Sequence, residues 1–344
     1  MPTPAPMRLI TGRSRHRWWP LLALGVAACQ PQRDPADAAN APPVGHYEGS
    51  ISAVSQPAVR AALDIRHPRP GHYEAELSVP TVATLSFVAD TVVFRNNQLR
   101  LTRPARPGQV LNLTLDGDFW RGSLALDSTQ APALLVKRGV PTPSTYRVVA
   151  VPQARGGGWL FAPADTGTLG PALALLPDAE TAPAAALWAD ALAREGIIVR
   201  MLPATADASL LRAAVALLRG TAGADTANVG TWASGAQAAA LVEVLAGTSA
   251  PRVAFVIAQN APMSPNSRVA LRELKRRRVP LLGLYSGATA TQRAAVLRNA
   301  MGGRRGATVR IYRTAGADLL VPTGQGPRFA PGLPGEVVEW LRGR

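Results

Sequence analysis

The stretch Val229–Ala238, VGTWASGAQA, places one serine, Ser234, between an apolar run and an alanine-rich run. A serine at such a strand-to-helix junction can attack a carbonyl carbon. It does so only when a base takes its proton, a third group orients that base, and hydrogen-bond donors hold the oxyanion. The chain is poor in bases. Its four histidines are His16, His46, His67 and His72, so none follows residue 72. Three carboxylates, Asp178, Glu180 and Asp318, and a second serine, Ser286, stand after apolar runs. Those runs read as strands, and ligands bind beyond the carboxyl ends of strands in open sheets. No pair of these carboxylates has dyad spacing or metal-ligand company. Walker A, dinucleotide and zinc spacings are absent from the sequence. No cofactor and no metal is therefore expected.

The elements that must carry these residues fall into two classes. From Gly45 to Lys137 the chain runs in short alternating stretches with turn signals. Asn96-Asn97 offers two residues that tolerate positive φ, between Phe94 and Leu99. In VLNLTLDGDFWRGSLALD, leucines alternate with polar residues up to a turn at Asp116-Gly117. This pattern predicts a small antiparallel β domain, a sandwich or a barrel, over 44–137. RGVPTPST, 138–145, reads as a linker. Beyond it, apolar strands are predicted at 147–151, 158–162, 172–176, 197–202, 228–232, 253–258, 281–285 and 309–312. Helices are predicted at 182–194, 208–218, 236–245, 266–277, 291–299 and 335–341. Continuous apolar strands separated by helices predict a mostly parallel eight-stranded sheet covered on both faces, over 146–344. The first two strands are joined by a short turn and should form an antiparallel edge.

Eight strands in this order, with a sharp turn after the fifth, resemble the α/β-hydrolase fold, and GHYEG and FWRGSLALD resemble strands of the leader domain of some secreted bacterial hydrolases. The resemblance implies a nucleophile elbow, G-x-S-x-G, with an acid after the seventh strand and a histidine after the eighth. The ungapped match puts Ala233 and Gln237 at the two glycines and Gly235 at the serine, with Ser234 one place early. The acid position falls at Ala288 or Thr289. The histidine position, after Asp318 in VRIYRTAGADLLVP, is Leu319. The turn after the third strand reads LLPDAETAP, without glycine, and Pro177 has no N–H to donate. The degenerate triad positions are thus Gly235, Thr289 and Leu319.

Residues 1–28 read as a leader. Arg8, Arg13, Arg15 and Arg17 precede a short apolar run, Trp18–Ala28, too short to span a bilayer. Val26-Ala27-Ala28-Cys29 resembles the lipobox of bacterial lipoproteins, which implies cleavage before Cys29 and lipidation of its thiol. An ordinary secretory signal with a chance cysteine is the other reading. Cys29 is the sole cysteine, so no internal disulfide can form. Residues 29–43 then form a Pro- and Ala-rich tether. Loss of the four leader arginines lowers the net charge from +15 to +11. All but two of the 37 basic residues, Lys137 and Lys275, are arginine, a bias that reads as genome composition. Apart from Lys275-Arg276-Arg277-Arg278 the basic residues are scattered, which argues against a nucleic-acid partner.

The expectation is a lipoprotein of the bacterial cell envelope, lipid-anchored on the periplasmic or outer-membrane face. Its degenerate hydrolase-like domain would be a non-catalytic ligand-binding or interaction module. A cleft near Pro177, Ser234, Ser286 and Asp318 would take a small-molecule or peptide ligand. The alternative is an active serine esterase or peptidase that uses Ser234 with an unidentified base. His46 or His72 could serve only if the β domain leaned over the mouth of the sheet.

Overall fold

The computed structural model describes residues 41–52, 57–126, 129–303, 307–324 and 326–343. The leader expected over 1–28, the candidate lipid site Cys29 and tether residues 30–40 lie outside the described residues.

Alternation of apolar and polar side chains folds the first part into nine antiparallel strands. They are β1 (Gly45–Ile51), β2 (Val59–Arg69), β3 (His72–Ser78), β4 (Phe87–Val88), β5 (Thr91–Arg95), β6 (Gln98–Arg103), β7 (Arg106–Asp116), β8 (Phe119–Leu126) and β9 (Thr129–Gly139). They hydrogen-bond in the order β4-β3-β2-β1-β9-β8-β7-β6-β5. This is one curled sheet, so the two-sheet sandwich left open by the sequence does not form. Its inward side chains meet around Trp120, whose ring touches Tyr47 of β1 at 5.9 Å and Phe94 of β5 at 6.0 Å. Gly49 and Gly122 sit where neighbouring strands press closest. A Cβ there would come within 1.9 Å of the Leu134 carbonyl oxygen and 2.0 Å of the Asn112 carbonyl oxygen respectively. Asn96 and Asn97 take φ of 50° and 59° between β5 and β6. The next turn lies one residue later than expected: Asp116 still pairs with Phe119, and Gly117, at φ 58°, begins the reversal.

The second sheet has eight strands: β10 (Tyr146–Ala150), β11 (Trp159–Pro163), β12 (Gly170–Leu176), β13 (Ile198–Met201), β14 (Ala224–Ser234), β15 (Val256–Gln259), β16 (Leu281–Ser286) and β17 (Thr308–Tyr312). Their order is β10-β11-β13-β12-β14-β15-β16-β17. The sheet is mixed. β11 runs antiparallel to both β10 and β13, and the remaining pairs are parallel. Along β12, Ala172, Ala174 and Leu176 face one core and Leu173 and Leu175 the other. Helices α1 (Ala182–Arg194) and α6 (Gly335–Arg342) cover the second of these cores. The first is covered by α2 (Ala208–Arg219), α3 (Gly235–Ala246), α4 (Pro265–Arg276) and α5 (Ala290–Ala300). A two-stranded hairpin, β18 (Leu320–Val321) with β19 (Arg328–Phe329), was not expected from the pattern.

The segment expected as a linker, 138–145, differs from that expectation. β9 runs on through Gly139, and residues 142–145 are pinned by charged side chains of the curled sheet. Asp64 accepts hydrogen bonds from the Thr142 N–H and hydroxyl, both at 2.8 Å. Arg66 donates to the Thr142 and Pro143 carbonyls. Buried Glu76 binds Arg66, Thr145 and Arg194 of α1. Deeper still, Arg103 of β6 meets Asp190 of α1 at 2.5 Å, and the Tyr146 hydroxyl donates to the same carboxylate at 2.6 Å. The described residues, from 41 to 343, belong to one compact unit.

Candidate functional site

β14 ends at Ser234 in extended conformation, φ −114° and ψ 149°, and Gly235 opens α3 at φ +51°. The sharp strand-to-helix turn therefore exists, with glycine at its left-handed position. Glycine holds that conformation freely, whereas other residues strain there. The space a side chain would fill is already taken: a Cβ built on Gly235 would lie 1.8 Å from Oδ2 of Asp178. Asp178 follows β12 and is fixed by its other oxygen. Oδ1 accepts from the Thr181 N–H at 2.9 Å and the Thr181 hydroxyl at 2.8 Å, at the start of α1. α3 has no side-chain cap of its own. The Asp178 carboxylate stands over that positive helix end.

Around this point lies a cleft of about 320 Å³ at the carboxyl ends of the strands. Asp178, Glu180, Gly235, Asn260, Ser286 and Arg293 line it, together with 315–317. Asn260, at φ +50°, joins three of its walls. Its amide donates to the Ser286 hydroxyl at 2.8 Å and to the Ala317 carbonyl at 2.9 Å, and its oxygen accepts from the Ser286 N–H at 2.9 Å. Neighbouring Gln259 accepts from the Trp232 indole and donates to the same Ala317 carbonyl. Arg293 donates to the Ser286 carbonyl at 2.8 Å and lies 5.8 Å from the centre of the Tyr285 ring. Burial raises the Tyr285 hydroxyl above its ordinary pKa, and Arg293 pulls it partly back.

Of the four residues expected at the cleft, Ser286 lines it and three do not. Pro177 is buried. Ser234 is 2% exposed and sits behind the turn, because the left-handed residue after it is the one that faces the cleft. Asp318 turns its carboxylate onto its own loop, where Oδ1 accepts from the Leu320 N–H at 3.0 Å. At the degenerate triad positions, Thr289 is exposed at the start of α5 and does not line the cleft. Leu319, at φ +65°, is fully buried in the core.

The histidines stand elsewhere. His46 is hydrogen-bonded through Nδ1 to Asp64 at 2.9 Å and through Nε2 to Glu48 at 3.4 Å. Burial lowers its pKa, but the hydrogen bond and charge of Asp64, with Glu48 behind them, leave it above 6.5. His67 stacks on Tyr73, and His72 lies beside Glu74. None of the three lines the cleft. His16 is outside the described residues. Among the described residues no group of three or more His, Cys, Asp or Glu could hold a metal. No described helix is long and apolar enough to cross a membrane.

Gln259, Asn260 and Arg293 were not anticipated. The pair Gln259-Asn260 directly after an apolar strand was a usable signal, since buried amides need partners. Arg293 in a helix carried none.

No family model matches the chain, and no curated protein matches it in sequence. Among solved structures, it is similar to a Klebsiella pneumoniae protein described as a dienelactone hydrolase, at 14% identity and a TM-score of 0.39. That match covers 50% of this chain and 87% of the other. It is also similar to a truncated carbohydrate esterase from gut microbiota, at 11% identity and a TM-score of 0.45, covering 59% of this chain and 98% of the other.

Proposed function

We propose that this chain is a membrane-anchored envelope protein whose hydrolase-like domain binds a ligand and does not hydrolyse it. The observation that carries the reading is the carboxylate of Asp178 over Gly235. Ester or amide hydrolysis places a nucleophile at that residue and develops negative charge beside it. Here no side chain stands at 235, and the adjacent charge is negative. Two like charges about 4 Å apart at an effective dielectric of about 20 repel by about 4 kcal/mol. That corresponds to roughly a thousandfold loss in rate. The same domain contains no histidine, and Leu319 and Thr289 cannot replace the missing base and acid. Ser234, buried and off the cleft, lacks a partner base among the described histidines.

The test is turnover of p-nitrophenyl acetate and butyrate by the wild type beside Ser234→Ala. Rates near buffer alone in both are expected. Wild-type turnover that disappears in the variant would restore the serine-hydrolase alternative. The anchor is tested separately: Cys29→Ser should move the protein from the membrane fraction to the soluble fraction. A variant that stays membrane-bound would refute lipidation at Cys29.

A further inference from the structure

We infer that the cleft takes a small zwitterion, with an ammonium group against Asp178 and Glu180 and a carboxylate against Arg293 and the Ser286 hydroxyl. This rests on the reading of the cleft as a non-catalytic ligand site and names its ligand class.

Asp178, Glu180 and Arg293 line the same cleft, and among the described residues none of them has an ion-pair partner. Such groups do pair elsewhere, Glu76 with Arg66 and Arg194 and Asp190 with Arg103, whereas in the cleft both signs stand on facing walls without pairing. The negative pole is built. Both bonds to Thr181 end on Oδ1 of Asp178, which holds the carboxylate still and leaves Oδ2 over the bare Cα of Gly235. The positive pole is built too. Arg293 is tied by one terminal nitrogen to the Ser286 carbonyl at 2.8 Å and by the other to the Asn260 carbonyl at 3.5 Å, and is backed by the Tyr285 ring. Its Nε is buried without a partner. Ser286, 2% exposed, accepts from Asn260 and has no acceptor for its own proton among the described residues. The Ser286 hydroxyl lines the same cleft as the guanidinium, so its proton is free to turn to a ligand acceptor.

The poles are too far apart to pair with each other, so each keeps its charge for a ligand. A singly charged ligand satisfies one pole and leaves the other desolvated and unpaired, which is unfavourable. A molecule that carries both charges satisfies both. A volume of about 320 Å³ is near the lower end for small-molecule pockets, roughly 300–1,000 Å³, and suits one or two amino-acid residues.

The full chain should be titrated by calorimetry with L-alanine and L-alanyl-L-alanine, the zwitterions. L-alaninamide carries the ammonium alone and N-acetyl-L-alanine the carboxylate alone. At least one zwitterion is expected to bind tenfold or more tightly than either capped probe. Which of the two binds better separates a free amino acid from a dipeptide. Asp178→Asn keeps the acceptor for Thr181 and removes the charge, and should erase the advantage over N-acetyl-L-alanine. Arg293→Gln should erase the advantage over L-alaninamide, and Arg293→Lys should restore it; circular dichroism checks that each variant is folded. Equal binding of free and capped probes overturns the charge assignment and leaves a non-catalytic cleft standing. No binding by any probe to the folded wild type overturns the proposal. Ester turnover that depends on Ser234 overturns the underlying reading whatever the zwitterions do.

Discussion

Replacing Gly235 with alanine adds one methyl group at the point where two independent constraints meet. The first is the backbone. A non-glycine residue held in the left-handed region costs about 1 kcal/mol, more when it is crowded. The second is Asp178. With the new Cβ 1.8 Å from Oδ2, no small adjustment suffices, and the carboxylate must leave. Its departure breaks the two hydrogen bonds to Thr181 and removes the negative charge over the start of α3. Hydrogen bonds to charged groups contribute about 1.5–3 kcal/mol when buried. Asp178 is only half-buried, so water recovers part of the loss, and about 1–2 kcal/mol is a reasonable share. Gly235→Ala should then destabilise the protein by about 2–3 kcal/mol.

The two terms can be separated. In an Asp178→Ala background nothing obstructs the methyl group, so Gly235→Ala should cost only the backbone strain, about 1 kcal/mol. A four-member double-mutant cycle followed by urea unfolding should therefore give a coupling of about 1–2 kcal/mol between residues 57 positions apart in sequence. Additivity to within about 0.5 kcal/mol would show that Asp178 does not occupy the place of a side chain at 235. A single variant as stable as the wild type would show that the turn is an ordinary helix start.

The charged groups that pin the second sheet to the first give two more expectations. Asp190→Ala leaves Arg103 buried without its carboxylate, which should cost about 3–5 kcal/mol, with both sheets lost in one urea transition. Two separated transitions, followed by tryptophan fluorescence and far-ultraviolet circular dichroism, would show that the sheets fold independently. His46, raised above 6.5, should titrate above that value by NMR. The stabilisation it supplies is complete below pH 6.5 and is lost as pH rises through the raised value, because the folded state binds the proton more tightly than the unfolded chain. A midpoint at or below 6.5, or stability that increases across that window in wild type but not in His46→Gln, would refute its coupling to Asp64.

The scaffold was legible because its signals are local. α1 spans Ala182–Arg194 as read from the sequence, and α3 gains only Gly235 and Ala246 at its ends. Where edges moved, non-local pairing moved them. β14 begins at Ala224 although ADTAN is polar, because Ala224 still pairs with Gly170. β15 begins at Val256, after an apolar stretch from Val253 in which Ala254 makes only a single bond back to Val229. The cleft was legible at Ser286, Asp178 and Glu180, all read at strand ends, but not in the position over Gly235 that the fold gives Asp178. That residue appeared as one loop carboxylate among several, and only the parallel register of β12 against β14 brings it to the turn. The pinned linker was hidden for the same reason. Asp64 and Thr142, Glu76 and Arg194, and Arg103 and Asp190 are each 78 or more residues apart, and charge patterning along a sequence reports nothing at that range.

On the proposed non-catalytic reading, the residues at the triad positions each avoid a cost that catalysis would impose. A nucleophile on the elbow would carry roughly 1–3 kcal/mol of backbone strain, and Gly235 removes it. A carboxylate over the uncapped start of α3 supplies the charge that a helix terminus favours, where an oxyanion hole would leave donors waiting for substrate. Leu319 keeps a strained φ of +65°, at about 1–2 kcal/mol. Its fully buried side chain returns about 1.5–3 kcal/mol by leaving water, where a catalytic histidine would need access to the cleft. The Leu319 backbone holds that shape because Trp188 donates to the Asp318 carbonyl while Gln259 and Asn260 both donate to the Ala317 carbonyl. A serine placed at position 235 would meet Asp178 before it met a substrate, and freeing that space breaks both hydrogen bonds to Thr181 and removes the negative charge from the start of α3, so a nucleophile there would cost stability at two places at once.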